Sequence, residues 1–238
     1  MERNFTEKDA YEQYLVPSDY LETYYSFDSE SHVKDNLIAF HLKNLHKAFL
    51  VDGIKGDTLI DIGSGVTIYQ HLSACESFKE IIATDYTTQA REELQKWLKN
   101  EPGAFDWSPV VKYVCELEGN RYGETFGYRC SRVLMPSLRM PACLSPADSI
   151  LDLQEGIAPE KVPVKNITSL LKPGGHLVLL GVLEGTYYMV GQRRFSCLYL
   201  EQKSIEEWVE MTPNHYSWTV TDSKGAFGLV AQKYSEGH

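Results

Sequence analysis

Short apolar runs alternate with amphipathic stretches along most of this 238-residue chain. Brief apolar runs bounded by turn residues are typical of buried strands, whereas apolar positions three and four residues apart are typical of helices. The pattern predicts strands at residues 58–62, 79–84, 110–115, 147–153, 176–181 and 226–232. Helical patterns between several of these strands predict an α/β fold with a doubly wound, mainly parallel sheet.

The predicted helices begin before the first strand. An amphipathic helix is expected at 32–50, and Pro17-Ser18-Asp19 is expected to form the turn and cap of a short helix from Tyr20. Two more helices, at 68–75 and 90–100, should follow the first two strands. Residues 120–145 have neither helical nor strand periodicity and are expected to form a long irregular loop.

Composition limits the function classes. A formal net charge of −10 disfavours a nucleic-acid partner or an acidic membrane surface, each of which requires clustered Lys and Arg. The five cysteines are odd in number and scattered, so neither a disulfide framework nor a zinc site is predicted. Without an apolar leader at the start, or an apolar run of about 18 residues, we expect a soluble, cytoplasmic monomer.

A glycine-rich turn follows the first predicted strand, in the stretch LIDIGSG at 59–65. Gly63 and Gly65 let the backbone turn sharply and approach a ligand closely because neither has a Cβ. Asp85, at the end of the second strand, is placed to accept hydrogen bonds from ribose hydroxyls, or else to cap the next helix. These features predict a nucleotide-binding crevice.

The same turn distinguishes between nucleotide cofactors. The dinucleotide fingerprint G-x-G-x-x-G is incomplete, because Ile68 stands where the third glycine belongs. Asp61, just before the turn, would repel a pyrophosphate; it can face a ligand's ammonium group or orient the turn. The segment LKPGGHLV at 171–178, a helix stop before an apolar strand, also recurs in methyltransferases that use S-adenosylmethionine. An NAD-dependent oxidoreductase is therefore disfavoured.

Longer stretches resemble the small-molecule N-methyltransferases, the family that includes nicotinamide and indolethylamine N-methyltransferases. The resemblance lies in PSDYLETYYSF at 17–27, GDTLIDIGSGVTIYQ at 56–70, and YMVG at 188–191, followed by FSC at 195–197. It implies a Rossmann-like, seven-stranded type of sheet in a single domain. The parts would be an N-terminal lid and helix (1–50), a cofactor-binding half (51–120), an irregular shortened segment (121–165) and a substrate-side half (166–238).

The resemblance also implies a cofactor, S-adenosylmethionine, and residues that hold it. Tyr20 and Tyr25 would close over the cofactor at its carboxylate end, and Asp85 would hold the ribose. The methionine part would lie on the turn, beside Gly63, Ser64, Thr67 and Tyr69. For an acceptor, a small aromatic amine or N-heterocycle, Tyr24 and Tyr188 would pack around the ring, and Cys197 occupies the position of a substrate-site serine.

Several positions depart from the family pattern. Ala90 replaces an asparagine, and Cys130-Ser131 lacks the carboxylate that binds the adenine amine. Gly181 and Gly185 replace an aspartate and a serine of the nicotinamide enzyme, which argues against nicotinamide as the acceptor. Methyl transfer to nitrogen needs alignment rather than a metal, so no metal site is predicted, and no His or Glu stands out as a base. A family member that binds ligand without turnover is the alternative.

Overall fold

A computed structural model describes residues 8–28, 30–34, 36–119, 147–154, 164–197, 199–201 and 221–234. The predicted irregular loop, including Cys130-Ser131, lies outside these residues. The described strands are β1 (Gly56–Ile62), β2 (Phe78–Thr84), β3 (Ala147–Gln154), β4 (Leu171–Leu183), β5 (Tyr187–Val190), β6 (Arg193–Ser196) and β7 (Gly225–Gln232).

Five of these strands form one sheet in the order β2-β1-β3-β4-β7. The first four are mutually parallel, and β7 is antiparallel to β4. The predicted α/β fold with a mainly parallel sheet is therefore confirmed. Because β1 pairs with β2 on one side and with β3 on the other, the strand order reverses at β1, where ligands of such sheets bind beyond the carboxyl ends. The remaining two strands form an antiparallel hairpin, β5-β6.

Short helices precede and flank the sheet. They are α1 (Lys8–Tyr14), α2 (Pro17–Tyr25), α3 (Glu30–Lys34), α4 (Leu37–His46), α5 (Thr88–Leu98), α6 (Ser108–Leu117) and α7 (Val164–Ser169). The expected turn before Tyr20 is wrong, because α2 begins at Pro17, whose fixed φ suits a first helical position. The expected helix at 32–50 is divided into α3, α4 and a π-helical turn, Lys47–Val51. Asn36 caps α4 by accepting a hydrogen bond from Ile38 N.

The expected strand at 110–115 is wrong, since this segment is the helix α6. Its β-branched residues favoured a strand, but Val110, Tyr113 and Val114 recur at helical spacing and are all buried. Asp106 accepts a hydrogen bond from Ser108 N, and Pro109 follows at the start of the helix. Local capping and a buried helical face therefore outweigh strand propensity here.

The expected helix at 68–75 is also wrong. The segment forms two short 3-10 turns, Tyr69–His71 and Ala74–Glu76. Gln70 Nε2 donates to the carbonyl oxygens of Ser64 and Thr67, both at 3.2 Å, so a side chain satisfies carbonyl groups of the preceding turn. This segment consequently remains folded back beneath the glycine turn.

Apolar clusters lie on the two faces of the sheet. Leu59 belongs to the larger cluster, which includes Leu42, Leu45 and Phe49, and Ile60 belongs to a smaller one with Leu177. Alternate residues of β1 thus face opposite clusters, as expected of a doubly wound sheet. Within the described part of the chain, no helix has the length and apolar character needed to cross a membrane.

Candidate functional site

The glycine turn after β1 is fixed to the end of β2. Gly63 and Gly65 have φ of 71° and 60°, in the left-handed region that favours glycine. Ser64 N donates to Thr84 O at 2.8 Å, and Ser64 Oγ accepts from Thr84 N at 3.1 Å. Both bonds hold the turn beside the carboxyl end of the neighbouring strand.

Asp85 joins the same turn from the other side. Its Oδ2 accepts from Gly65 N at 3.0 Å, and its Oδ1 accepts from Thr87 N and Thr87 Oγ1 at 2.8 and 2.7 Å. The half-buried carboxylate therefore braces the turn that leads into α5. Each carboxylate oxygen has two lone pairs, and Oδ2 accepts a single hydrogen bond from the described residues. Capping and ligand binding are thus compatible at Asp85.

Asp61 lies beneath the turn and is fully buried. Its Oδ2 accepts from Gln70 Nε2 at 3.1 Å and lies 2.6 Å from His71 Nε2, which is also buried. Of its two expected roles, this position fits the orientation of the turn. Thr67 Oγ1 extends the network by donating to Gln70 Oε1 at 3.0 Å.

Tyrosines of α2 cover the adjoining space. Tyr25 is buried and stacks on Tyr69, with ring centroids 5.6 Å apart and planes inclined by 26°. The ring centroid of Tyr20 lies 4.9 Å from that of Tyr24 and 6.1 Å from that of Tyr188 in β5. The structure therefore brings the predicted tyrosines of the N-terminal helices together with Tyr69 and Tyr188.

A cavity opens among these rings. It contains about 560 Å³ of non-atom space, part of it open to solvent. Its described lining includes Tyr20, Tyr24, Tyr25, Leu37, Ile38, His41, Val182, Tyr188, Cys197, Thr221 and Ser223. Among these described residues the lining has no Asp, Glu, Lys or Arg. Aromatic faces attract cations, so the cavity suits a flat ring and a positive charge beside it.

Burial affects the phenols at the hairpin end of the site. Desolvation, with a smaller charge contribution from Tyr11, raises the pKa of Tyr188 well above its usual value. Burial likewise raises the pKa of Tyr11 to about 12, although a hydrogen bond with Tyr188 partly opposes it. Both phenols are therefore neutral at physiological pH. The ring of Phe195 stacks on that of Tyr188, with centroids 5.6 Å apart, and its centroid is 5.0 Å from that of Tyr11.

Positions that depart from the family pattern also have defined surroundings. Gly185 approaches Ser223 so closely that a Cβ at Gly185 would lie 3.1 Å from Ser223 Cβ. Cys197 is buried, and its N–H donates to Thr186 O at 2.9 Å. Ala90 is fully buried on α5. All three positions with small side chains are thus held within packed surroundings rather than in open solvent.

The sequence analysis did not identify six of the described lining residues: Leu37, Ile38, His41, Val182, Thr221 and Ser223. His41 follows Leu37 by four residues, so helical spacing alone places it on the same face of α4 as a lining residue. Thr221 and Ser223 precede β7, and no sequence pattern connects them with α2. Their placement depends on tertiary packing.

Comparison with known proteins shows where the chain belongs. A sequence model described as the NNMT/PNMT/TEMT family matches residues 2–127 and 160–234. Nicotinamide N-methyltransferase of Sus scrofa is 48% identical over an alignment 263 positions long, which covers 99% of each chain. Indolethylamine N-methyltransferase of Oryctolagus cuniculus is 43% identical, covering 98% of each. Phenylethanolamine N-methyltransferase of Bos taurus is 36% identical, covering 84% of this chain and 81% of the relative.

These matches confirm the resemblance inferred from the tyrosine-rich and glycine-rich segments, and with it the prediction of an enzyme of the N-methyltransferase class that uses S-adenosylmethionine. They give no support to the alternative of a family member without turnover, and an NAD-dependent oxidoreductase is inconsistent with them. The family match spans most of the chain and the three relatives each align over more than four-fifths of it, so the chain belongs to the NNMT/PNMT/TEMT family.

Proposed function

We propose that this chain transfers a methyl group from S-adenosylmethionine to the nitrogen of a small aromatic amine or N-heterocycle. The observation that carries the proposal is the aromatic cavity lined by α2, α4 and β5, with no charged side chain among its described lining residues. Tyr25, in its wall, stacks on Tyr69 of the segment that follows the glycine turn. S-adenosylmethionine supplies a methyl group bonded to a cationic sulfur. Aromatic faces stabilise such a cation and the cationic product without competing for it as an ion pair.

The cofactor side of the proposal rests on the turn and on Asp85. No atom lies within 4 Å of a Cβ built on Gly65, so a ligand has access to the backbone there. Asp85 holds the ribose, while Gly63 and Ser64 support the methionine part. Tyr20 and Tyr25 cover its carboxylate end, with Thr67 and Tyr69 beside it. Asp61 acts from below by orienting the turn through Gln70 and His71.

The acceptor side is formed by Tyr24, Tyr188 and Cys197. Tyr24 Oη is occupied by two hydrogen bonds with the Met189 backbone, so its ring face, rather than its hydroxyl, is available to an acceptor. Cys197 contributes a small buried wall. These residues orient the acceptor nitrogen and exclude water, and orientation of two reactants is a large source of rate enhancement.

The acceptor differs from nicotinamide in this proposal. Recognition of a carboxamide needs polar groups that pair with it, and Gly181 and Gly185 cannot provide side-chain hydrogen bonds. Packing at 185 is tight as well, because a Cβ there would lie 3.1 Å from Ser223 Cβ and Ser223 would have to shift by a few tenths of an ångström. An amine or heterocycle without a carboxamide does not need those hydrogen bonds, so glycine at 181 and 185 does not weaken its recognition.

Calorimetry and mass spectrometry test the proposal. We expect S-adenosylmethionine and S-adenosylhomocysteine to bind and NAD not to bind. We expect a methylated product from at least one of a panel of aromatic amines and N-heterocycles, with nicotinamide among the poorer acceptors. Binding of NAD alone would contradict the methyltransferase assignment. Binding of S-adenosylmethionine with no product from the panel would favour the family member without turnover.

A monomeric state, a cytoplasmic location and the absence of a nucleic-acid partner stay predictions, the last of them based on the net charge of −10. Light scattering at micromolar concentration, and a mobility assay with duplex DNA and RNA, test the first and last of these. A stable dimer or a shifted nucleic-acid band would contradict them.

A further inference from the structure

His41 is a titratable side chain in the cavity lining to which the proposed function assigns no role. It lies on α4, is 2% exposed, and faces the cavity with Leu37 and Ile38 of the same helix. Its ring is nearly parallel to that of Tyr69, with a centroid separation of 6.2 Å and an angle of 15°, and Nδ1 is 3.4 Å from Tyr69 Oη. Tyr69 in turn stacks on Tyr25, so the imidazole has a fixed place in the wall.

An amine acceptor must be deprotonated before it reacts, and alignment of the two reactants does not remove that proton. An aliphatic amine attached to an aromatic ring is an ammonium ion at neutral pH and has no lone pair for attack. It must lose a proton before its nitrogen can bond to carbon. A pyridine-type nitrogen carries a free lone pair and needs no such step.

The described lining offers one side chain suited to that proton. The other titratable groups that face the same cavity are the phenols of Tyr20, Tyr24, Tyr25 and Tyr188 and the thiol of Cys197, and the phenol of Tyr69 contacts the ring. Ordinary phenols and thiols are protonated at pH 7, whereas an ordinary imidazole, with a pKa of about 6.5, is a neutral base. Burial raises the pKa of Tyr188 further and keeps it protonated.

We propose that His41 accepts the proton of an ammonium acceptor and thereby selects aromatic primary or secondary amines as substrates. This inference rests on the proposed function. In the first step an N–H bond of the ammonium breaks, its electron pair stays on nitrogen, and the proton passes to a ring nitrogen of His41. That lone pair then bonds to the methyl carbon, the carbon–sulfur bond breaks, and its electron pair stays on the sulfur of the methyl donor.

The test compares two variants. His41→Leu replaces the imidazole with an apolar side chain, and His41→Gln keeps hydrogen-bonding atoms but cannot act as a base. His46→Leu is the matched control, since His46 is also on α4 but does not line the cavity. Indolethylamine and pyridine are the two acceptors. At pH 7.5 we expect both His41 variants to lose about 100-fold or more in kcat/KM with indolethylamine and to stay within about threefold with pyridine, the range set by loss of a general base. Calorimetry should show unchanged binding of S-adenosylmethionine.

The pH profile provides a readout that a packing role would not change. With indolethylamine, kcat/KM of the wild-type enzyme should level off above the titration of an imidazole. In the variants it should rise about tenfold per pH unit up to the pKa of the amine, because only free amine then reacts.

Other results overturn the inference. They are equal losses on both acceptors, recovery in His41→Gln, an unchanged pH profile, or wild-type turnover of pyridine alone. In each of these cases methyl transfer itself is retained, so the proposed function stands. Absence of wild-type turnover on the whole acceptor panel contradicts the proposed function, and the inference fails with it.

Discussion

The hydroxyl of Tyr24 forms two hydrogen bonds with the backbone of one residue, Met189. It donates to Met189 O at 2.9 Å and accepts from Met189 N at 3.0 Å. These bonds join α2 to the edge of β5 across 165 positions of sequence. The tyrosine-rich helix is therefore attached to the hairpin that carries Tyr188, and one phenol helps to hold both walls of the cavity together.

Tyr24→Phe should separate these walls while keeping the aromatic ring. It leaves both backbone groups of Met189 without this partner, so we expect a loss of about 1–3 kcal/mol in the free energy of unfolding. We also expect a higher KM for both the cofactor and the acceptor. Tyr14→Phe is the control, because it keeps the ring that lies 3.4 Å beneath the Arg193 guanidinium. Equal stability of Tyr24→Phe and wild type in urea unfolding would contradict the role assigned to the phenol.

Gly65→Ala and Gly53→Ala make a matched pair. Their φ values are 60° and 74°, and nothing lies within 4 Å of a Cβ at either position. Each alanine therefore pays for left-handed backbone without a clash, at about 1–2 kcal/mol. Of these two glycines, Gly65 is the one in the proposed cofactor site, where its N–H donates to Asp85. We expect similar unfolding midpoints for the two variants, but weaker binding of S-adenosylmethionine by calorimetry in Gly65→Ala alone; equal affinities would remove Gly65 from the cofactor site.

The sequence predicted those features of the fold that local pattern determines. Gly63 and Gly65 follow an apolar run directly, and the strand, the turn and the position of Asp85 were all evident from their spacing. The α6 helix was not, because the β-branched valines of its first turn favour a strand until Trp107, Tyr113 and Val114 are buried against neighbouring elements.

The site divides in the same way. The family resemblance predicted that Tyr20 and Tyr25 belong to the site, and both line the cavity, but the rest of the cavity lining could not be predicted. His41 lines the cavity because α4 packs against β7 and the Tyr69–His71 turn, and Ser223 lines it through the segment before β7. Contacts of this kind join residues far apart in sequence, which no periodicity in a single segment encodes.

A buried contact between Asp61 and His71 beneath the glycine turn gives a third prediction. Asp61 Oδ2 and His71 Nε2 are 2.6 Å apart, with side chains 0% and 1% exposed. His71→Leu alone removes one of the two hydrogen-bond partners of the buried Asp61 Oδ2, so we expect a loss of about 1–3 kcal/mol in stability. Adding Asp61→Asn removes the carboxylate that lost its partner and should recover part of the loss. A double-mutant cycle in urea measures this coupling, and additive losses would show that the two side chains do not act as a pair.

Asp222 provides the pH-dependent prediction. Desolvation of its carboxylate is outweighed by hydrogen bonds from Thr186 Oγ1, Thr186 N and Tyr187 N, the last two at 2.7 and 3.1 Å, so its pKa is lowered. Asp222 lies between two residues that line the cavity, Thr221 and Ser223. Its hydrogen bonds therefore connect this part of the cavity wall to the start of β5.

The sign of the effect follows from the direction of that shift. A carboxyl whose folded pKa lies below its unfolded value of about 3.9 stabilises the native state above that pH, and the contribution is lost as pH falls through the folded pKa. We expect Asp222→Asn to be less stable than wild type at pH 6, with the difference shrinking steadily from about pH 4 downwards. Urea unfolding of both proteins from pH 6 to pH 2.5 measures the difference. A gap that stays constant, or widens on acidification, would show that the Asp222 carboxylate does not stabilise the hairpin through its charge.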